Sequence, residues 1–234
     1  MTIRDRLHSA AFLPLAGVLA VAGVNARAAM IGPGPVTTNT QDTAFNLMAV
    51  DLSAPATLGP GNYNASLFEY MFTNALSPTV GSITPVVLTG GGSSFTPVAV
   101  GSPITYTGPT SFISTSFGGS GAFTLGATTT VYGGVYWSDP GGSSGDHMPL
   151  GFNSTSGSAF IRYSSNPGVD PGATAPTAGT PISGGLDSGT FTRAYDFSIQ
   201  VVPEPSSLAL LSLGALGLVR PAQRRRDRAQ INAG

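Results

Sequence analysis

The 234-residue chain has no cysteine, no lysine and a single tryptophan. Without cysteine there can be no disulfide, no thiolate metal site and no cysteine nucleophile, so an exported form of this protein must rely on packing alone. Charge is scarce as well: acidic and basic residues make up 9% of the chain, about a third of the usual share. All ten basic residues are arginine, and only Arg162 and Arg193 lie between Ala29 and Val202. That span also holds Asp42, Asp51, Glu69, Asp139, Asp146, Asp170, Asp187 and Asp196, for a formal charge of −6. A body with two cations has no electrostatic footprint for nucleic acid, and no such partner is expected. Long apolar runs are missing too. Those at the two ends cover residues 10–24 and 206–219, or 15 and 14 residues, against the roughly 20 of a full helical span.

What the chain does have is glycine (32), proline (19) and many hydroxyl residues, with 41% apolar residues to build a core. This composition reads as many short strands joined by turns. The clearest strand is residues 191–201. Phe191, Tyr195, Phe197, Ile199 and Val201 alternate with Thr192, Asp196, Ser198 and Gln200, and Arg193 is the one exception on the apolar face. Residues 43–52 and 62–73 read as a pair of strands joined by a Pro/Gly loop. Residues 82–89 are broken by Pro85, which predicts an edge position or a bulge. Further strands fall in residues 95–101, 103–108, 110–117, 121–126, 128–139 and 158–164, and a long Pro/Gly loop covers 166–189. Gly133-Gly134, inside the apparent strand "VYGGVYW", predicts a bulge or a close backbone approach, with Trp137 in the core. The expected fold is all-β: an antiparallel, jelly-roll-like β-sandwich of eight to ten short strands over residues 29–200.

Candidate chemistry in the body is thin. "GGSSG" at residues 141–145 matches G-x-S-x-G by letter, but Pro140 precedes it and Asp146-His147-Met148-Pro149 follows, so the helix of a nucleophile elbow has no place to start. His147 adjoins Ser143 too closely in sequence to fold back as its base. Asp139, Asp146 and His147 share one loop, and Asp170 and Asp187 another, without the D-x-D-x-D spacing of a calcium loop. No metal, cofactor or catalytic residue is expected, and the chain reads as a non-enzyme. Asn64-Ala65-Ser66 and Asn153-Ser154-Thr155 match glycosylation sequons. Tyr63, Tyr70, Tyr132, Tyr136 and Phe152 are candidates for sugar stacking, with core packing as the alternative for each.

Both ends read as addresses. Arg4 and Arg6, the apolar run 10–24 and the small-x-small site Ala26-Arg27-Ala28 form a secretory signal peptide over residues 1–28, cleaved after Ala28. At the other end Val202-Pro203-Glu204-Pro205 precedes an uncharged run to Val219, followed by Arg220, Arg224, Arg225, Arg226 and Arg228. As a helix, residues 206–219 reach about 21 Å at ~1.5 Å per residue, short of a hydrocarbon core of about 30 Å. Snorkelling by Arg220 and the residues before Arg224 lengthen that reach, and the arginines form a cytoplasmic stop. Pro203 and Pro205 keep the motif extended. Residues 201–228 therefore form a removable membrane signal, followed by a tail over 229–234.

This three-part ending resembles the PEP-CTERM sorting signal of exported bacterial proteins. Arg220-Pro221, ahead of the main arginine cluster, departs from the usual direct passage from apolar to basic residues. The resemblance implies recognition by exosortase, a membrane-embedded transpeptidase-like enzyme, transient inner-membrane anchoring by the C-terminal helix, cutting near Pro-Glu-Pro, and release or re-anchoring at the cell surface. It also implies a setting of exopolysaccharide-producing Gram-negative bacteria. The expected function is that of an exported surface or extracellular-matrix protein, structural or adhesive, with extracellular polysaccharide as an associated partner. A carbohydrate-binding module and a secreted hydrolase remain open as alternatives.

Overall fold

A computed structural model describes residues 28–38, 40–43, 46–73, 76, 79–105, 107–139, 146–163, 175–183 and 188–204. Among them are sixteen strands and no helix. In chain order these are β1 (Ala29–Ile31), β2 (Thr40–Thr43), β3 (Asn46–Asp51), β4 (Ala56–Leu58), β5 (Gly61–Phe72), β6 (Ser82–Gly91), β7 (Ser94–Val100) and β8 (Ser111–Ser116). Then come β9 (Ala122–Leu125), β10 (Thr129–Ser138), β11 (His147–Asn153), β12 (Ala159–Tyr163), β13 (Ile182–Ser183), β14 (Ser188–Phe191), β15 (Ala194–Tyr195) and β16 (Phe197–Pro203). Residues 28–204 form one compact unit.

The strands form two sheets, and every strand pair is antiparallel. Sheet one runs β1-β16-β5-β11-β15, with β2 on β11 and both β8 and β9 on β5. Sheet two runs β13-β7-β6-β10-β3-β12-β14, with β4 on β10. One apolar cluster joins Phe68, Tyr70, Phe197, Ile199 and Val201 of sheet one to Leu47, Val87, Val135, Trp137 and Ile161 of sheet two. This is the core of a two-layer sandwich. The alternate residues of sheet two, Met48, Val50, Val86, Leu88, Tyr136 and Phe160, form a second buried cluster with Phe95. Sheet two is thus apolar on both faces, which is why residues 46–51 and 85–88 show no clean alternation.

Several strands are placed differently from the sequence reading. Each sheet alone holds eight strand segments, against eight to ten expected in all, because segments of two to four residues escape a period-based reading. The strands expected to pair across the 54–61 loop do not do so. Residues 46–51 pair with β10 and β12 in sheet two, whereas β5 lies in sheet one between β16 and β8. The long strand of residues 191–201 is three. The chain leaves sheet two at Phe191, crosses at Thr192-Arg193, and enters sheet one through β15 and β16. Phe191 is consequently exposed, while Tyr195, Phe197, Ile199 and Val201 are buried as expected.

Pro85 lies in an interior strand, opposite Val135 of β10. On its other side the regular ladder with β7 begins only at Val86, and a register shift follows between Val87 and Leu88. The Pro85 carbonyl accepts the Gly101 N–H at 2.8 Å, so its missing donor faces the stretch where β7 has ended. Trp137 is fully buried and its indole N–H donates to the Val80 carbonyl at 2.9 Å.

The glycine pair is a close approach with no bulge, since β10 keeps unbroken register with β6 from Val131 to Ser138. A Cβ on Gly133 would lie 2.9 Å from Phe197 Cε2, and one on Gly134 would lie 2.8 Å from the Ala49 carbonyl oxygen. Gly133 lets the Phe197 ring of sheet one settle directly on the β10 backbone. Gly133→Ala is expected to lower stability by about 1–3 kcal/mol through overpacking. A lowered urea midpoint at unchanged slope is the measurement that checks it.

Candidate functional site

Two features stand out from the scaffold: the end of the last strand and a buried polar cluster where the chain crosses between sheets. The first contains most of the expected sorting motif. Val202 and Pro203 belong to β16 and pair with Asn64 and Tyr63 of β5, and the Glu204 N–H donates to the Asn62 carbonyl at 2.9 Å. Bonding alternates along an antiparallel strand, so residue 204 faces β5 and Pro203 faces away from it. On that far side β1 ends its pairing at Val201, so Pro203 costs the sheet no hydrogen bond. The Glu204 side chain is exposed. The motif therefore opens inside the sheet, and Ser206, where the uncharged run starts, follows after one further residue.

Of the other expected address residues, Ala28 is exposed immediately before β1. Ala26, Pro205, Arg220, Arg224, Arg225 and Arg226 lie outside the described residues, as do the rest of the expected signal peptide and the expected C-terminal helix. Among the described residues no helix is long and apolar enough to cross a membrane.

The second feature is centred on Arg193, the cation that broke the apolar pattern. Its guanidinium pairs with Asp42 Oδ1 at 2.8 Å and lies over the rings of Phe152 and Phe191, 4.6 and 4.9 Å from their centroids. The Tyr195 hydroxyl donates to Asp42 Oδ2. Beside it, the Gln41 side-chain amide donates to the Thr73 and Met148 carbonyls at 3.0 and 2.8 Å, and its Oε1 accepts the Leu76 N–H at 2.9 Å. This network pins β2 to the crossover between sheets. Burial pushes the Asp42 carboxyl up, with Arg193 and Tyr195 pulling it back only in part. Burial and the Asp42 charge hold the Tyr195 phenol well above its ordinary range.

Two more buried carboxyls have raised pKa values. Asp51 Oδ1 accepts the Ser53 N–H and hydroxyl and the Ala54 N–H, yet burial still raises its pKa. Asp196, 2% exposed, is raised to about 6 by burial, against which a hydrogen bond from the Val36 backbone works.

Of the candidate chemistry of the sequence, Asp139, Asp146 and His147 are among the described residues, and they do not gather into a metal-holding group. His147 opens β11, where it pairs with Thr43 and bridges to Thr79. Asp139 and Asp146 are both buried. Ser143, Asp170 and Asp187 lie outside the described residues. Among those described, no group of three His, Asp or Glu side chains gathers to hold a metal. Tyr63, Tyr70, Tyr136 and Phe152 are buried, and Tyr132 is half-buried with its ring packed edge-on against Phe95. These aromatics are packing residues. Asn153 closes a turn by accepting the Thr155 N–H and hydroxyl at 2.9 and 2.8 Å. Sequence reasoning missed the Asp42 network. Its one legible signal was an arginine on an apolar face in a body with only two.

Residues 201–226 match the PEP-CTERM protein-sorting motif. The match starts at Val201, inside β16, and runs through Arg226, two residues short of the ending singled out by the sequence. No curated protein and no solved structure matches the chain. The chain is thus an exported protein carrying the sorting signal of exosortase substrates.

Two expectations follow. Arg193→Met leaves the Asp42 charge buried without its partner and should cost about 3 kcal/mol, and adding Asp42→Asn should recover part of that loss, read from denaturant midpoints of both variants. Asp196 holds its proton more tightly folded than unfolded, so stability should rise as pH falls from about 6 towards the ordinary value of 3.8. Above that window its contribution is unfavourable and flat. Asp196→Asn should flatten the rise, as seen in thermal midpoints between pH 4 and 7.

Proposed function

We propose that this chain is a structural or adhesive protein of the cell surface or extracellular matrix, and that its C-terminal signal holds it at the inner membrane until exosortase cuts. The observation that carries the reading is the position of the sorting motif. The motif is continuous with the last strand of the body, so the sheet domain is delivered to the membrane surface with almost no tether. A sorted display protein has to fold and stay soluble outside the cell without disulfides. A cysteine-free sandwich whose surface is rich in hydroxyls suits that task and a hydrated polysaccharide environment. Polysaccharide is the associated partner in this reading, reached through the setting of the sorting system rather than through any residue. The role is non-enzymatic.

The placement of the motif also bears on the cut. A cut before Val202 would strip Val202 and Pro203 from β5 and expose its start. The cut is therefore expected after Glu204, where the chain has left the sheet. The test is to export the full chain with its sorting enzyme and weigh the mature ends. The expected product begins at Ala29 and ends at or beyond Glu204 without the arginine cluster. A double variant, Glu204→Ala with Pro205→Ala, keeps the backbone hydrogen bond of residue 204 and should remain in the inner-membrane fraction. Release of that variant at the wild-type level, or a surface protein that retains Arg224–Arg226, overturns the proposal.

A further inference from the structure

We infer that β8 is a self-association edge: two copies of this chain join through antiparallel pairing of their β8 strands into one continuous sheet. β8 pairs with β5 in unbroken register from Leu67–Ser116 to Phe72–Ser111, and no other strand pairs with it among the described residues. The Phe117 N–H donates to the Ser66 carbonyl, and on the far side of β5 the Met71 N–H donates to the Asp196 carbonyl. These bonds fix the parity of the ladder. Ser111, Ile113 and Thr115 turn their backbone groups to β5, while Phe112, Ser114 and Ser116 turn theirs outward.

An edge of this kind is normally blunted by charge, proline, a bulge or brevity. The terminal strands β1, β13, β14 and β15 have two to four residues each. β8 has six, "SFISTS", with no charge, no proline and no register shift. Phe112 is 47% exposed on the outer face beside Met71, its cross-strand neighbour.

The open groups are self-complementary. A two-fold axis at Ser114 sets Ser114 against Ser114 of the second copy, and Phe112 against its Ser116. Each of these is a narrow pair that exchanges both hydrogen bonds, so all outward donors and acceptors of Phe112, Ser114 and Ser116 are satisfied together. In the same register Ile113 meets Thr115 of the second copy, a favourable β-branched pair. The pairing stops at Ser116, where β8 ends, and beyond it the Phe117 carbonyl is held within the same copy by the Ser102 N–H at 3.1 Å. Charge does not oppose it. The one acid on this part of the face, Glu69, accepts the Ser114 and Ser198 hydroxyls at 3.3 Å within its own copy. The two Glu69 side chains would be three strand spacings apart, about 14 Å, which exceeds a screening length of about 8 Å. An edge with no charge to select a different partner, and with every open group matched by its own two-fold image, fits a second copy.

The absence of cysteine gives a clean test. In the full-length chain in detergent, Ser114→Cys should oxidise to a disulfide-linked dimer, while Ser93→Cys, on the exposed β6–β7 turn, should not. Sedimentation should show the unmodified chain as a dimer. Ser114→Lys, which sets two lysines face to face, and Ser116→Pro, which removes only an outward N–H, should both sediment as monomers with an unchanged strand circular-dichroism spectrum. Equal cross-linking at positions 93 and 114, a monomeric unmodified chain, a dimer that survives both edge variants, or cross-linking of the Ser114→Cys variant only to another protein would each overturn the inference.

Discussion

Everything in sheet one depends on the pairing of β16 with β5. β5 is the longest strand described, and along it β16 lies on one side and β8 and β9 on the other. β16 also carries Phe197, Ile199 and Val201 into the core, and Phe197 rests on the bare backbone of Gly133 in the opposite sheet. The last strand of the body therefore completes one sheet and locks it to the other. The core cannot be complete until residues 197–203 are in place, and the matched sorting motif begins within that same strand, at Val201. Folding and sorting are adjacent in sequence because the strand that closes the fold is also the strand that presents the motif.

The scarcity of charge shapes the rest. With no lysine and two arginines, the body cannot surround itself with solvated ion pairs, and several of the ionic groups among the described residues are used internally. Arg193 holds Asp42 at the crossover and stacks on two phenylalanines, and Asp51 caps its own turn through Ser53 and Ala54. Burying carboxyls in this way costs desolvation, which shows in their raised pKa. The same scarcity leaves β8 without the charged side chains that usually protect an edge.

Much of this was legible in the sequence, and the failures have physical causes. The all-β class followed from glycine, proline and hydroxyl content. The sorting signal followed from three chemically distinct parts in order, a pattern that needs no tertiary context. Trp137 in the core and the close approach at Gly133-Gly134 could also be read, since an aromatic and a missing Cβ have few other uses inside a strand. Pairing could not. Residues 46–51 and 61–72 are neighbours in sequence but belong to different sheets, and period 2 says which face is buried without saying which strand lies alongside. The crossover at Thr192-Arg193 was hidden because alternation resumes in phase after it, so that Arg193 reads as a single exception within one strand. The Asp42–Arg193–Tyr195 network joins positions 42 and 193–195; Arg193 on an apolar face hinted at a buried partner, but a single sequence does not say which acid, so far away in the chain, supplies it.

The most direct test of the account is backbone hydrogen exchange at the end of β16 in the intact chain. The Glu204 amide, bonded to the Asn62 carbonyl, should exchange with the slow class of sheet amides, together with Met71 on the same strand interface. Exchange of Glu204 at the rate of an unstructured peptide, while Met71 stays protected, would show that the motif hangs free of the sheet and would contradict the continuity of fold and sorting signal.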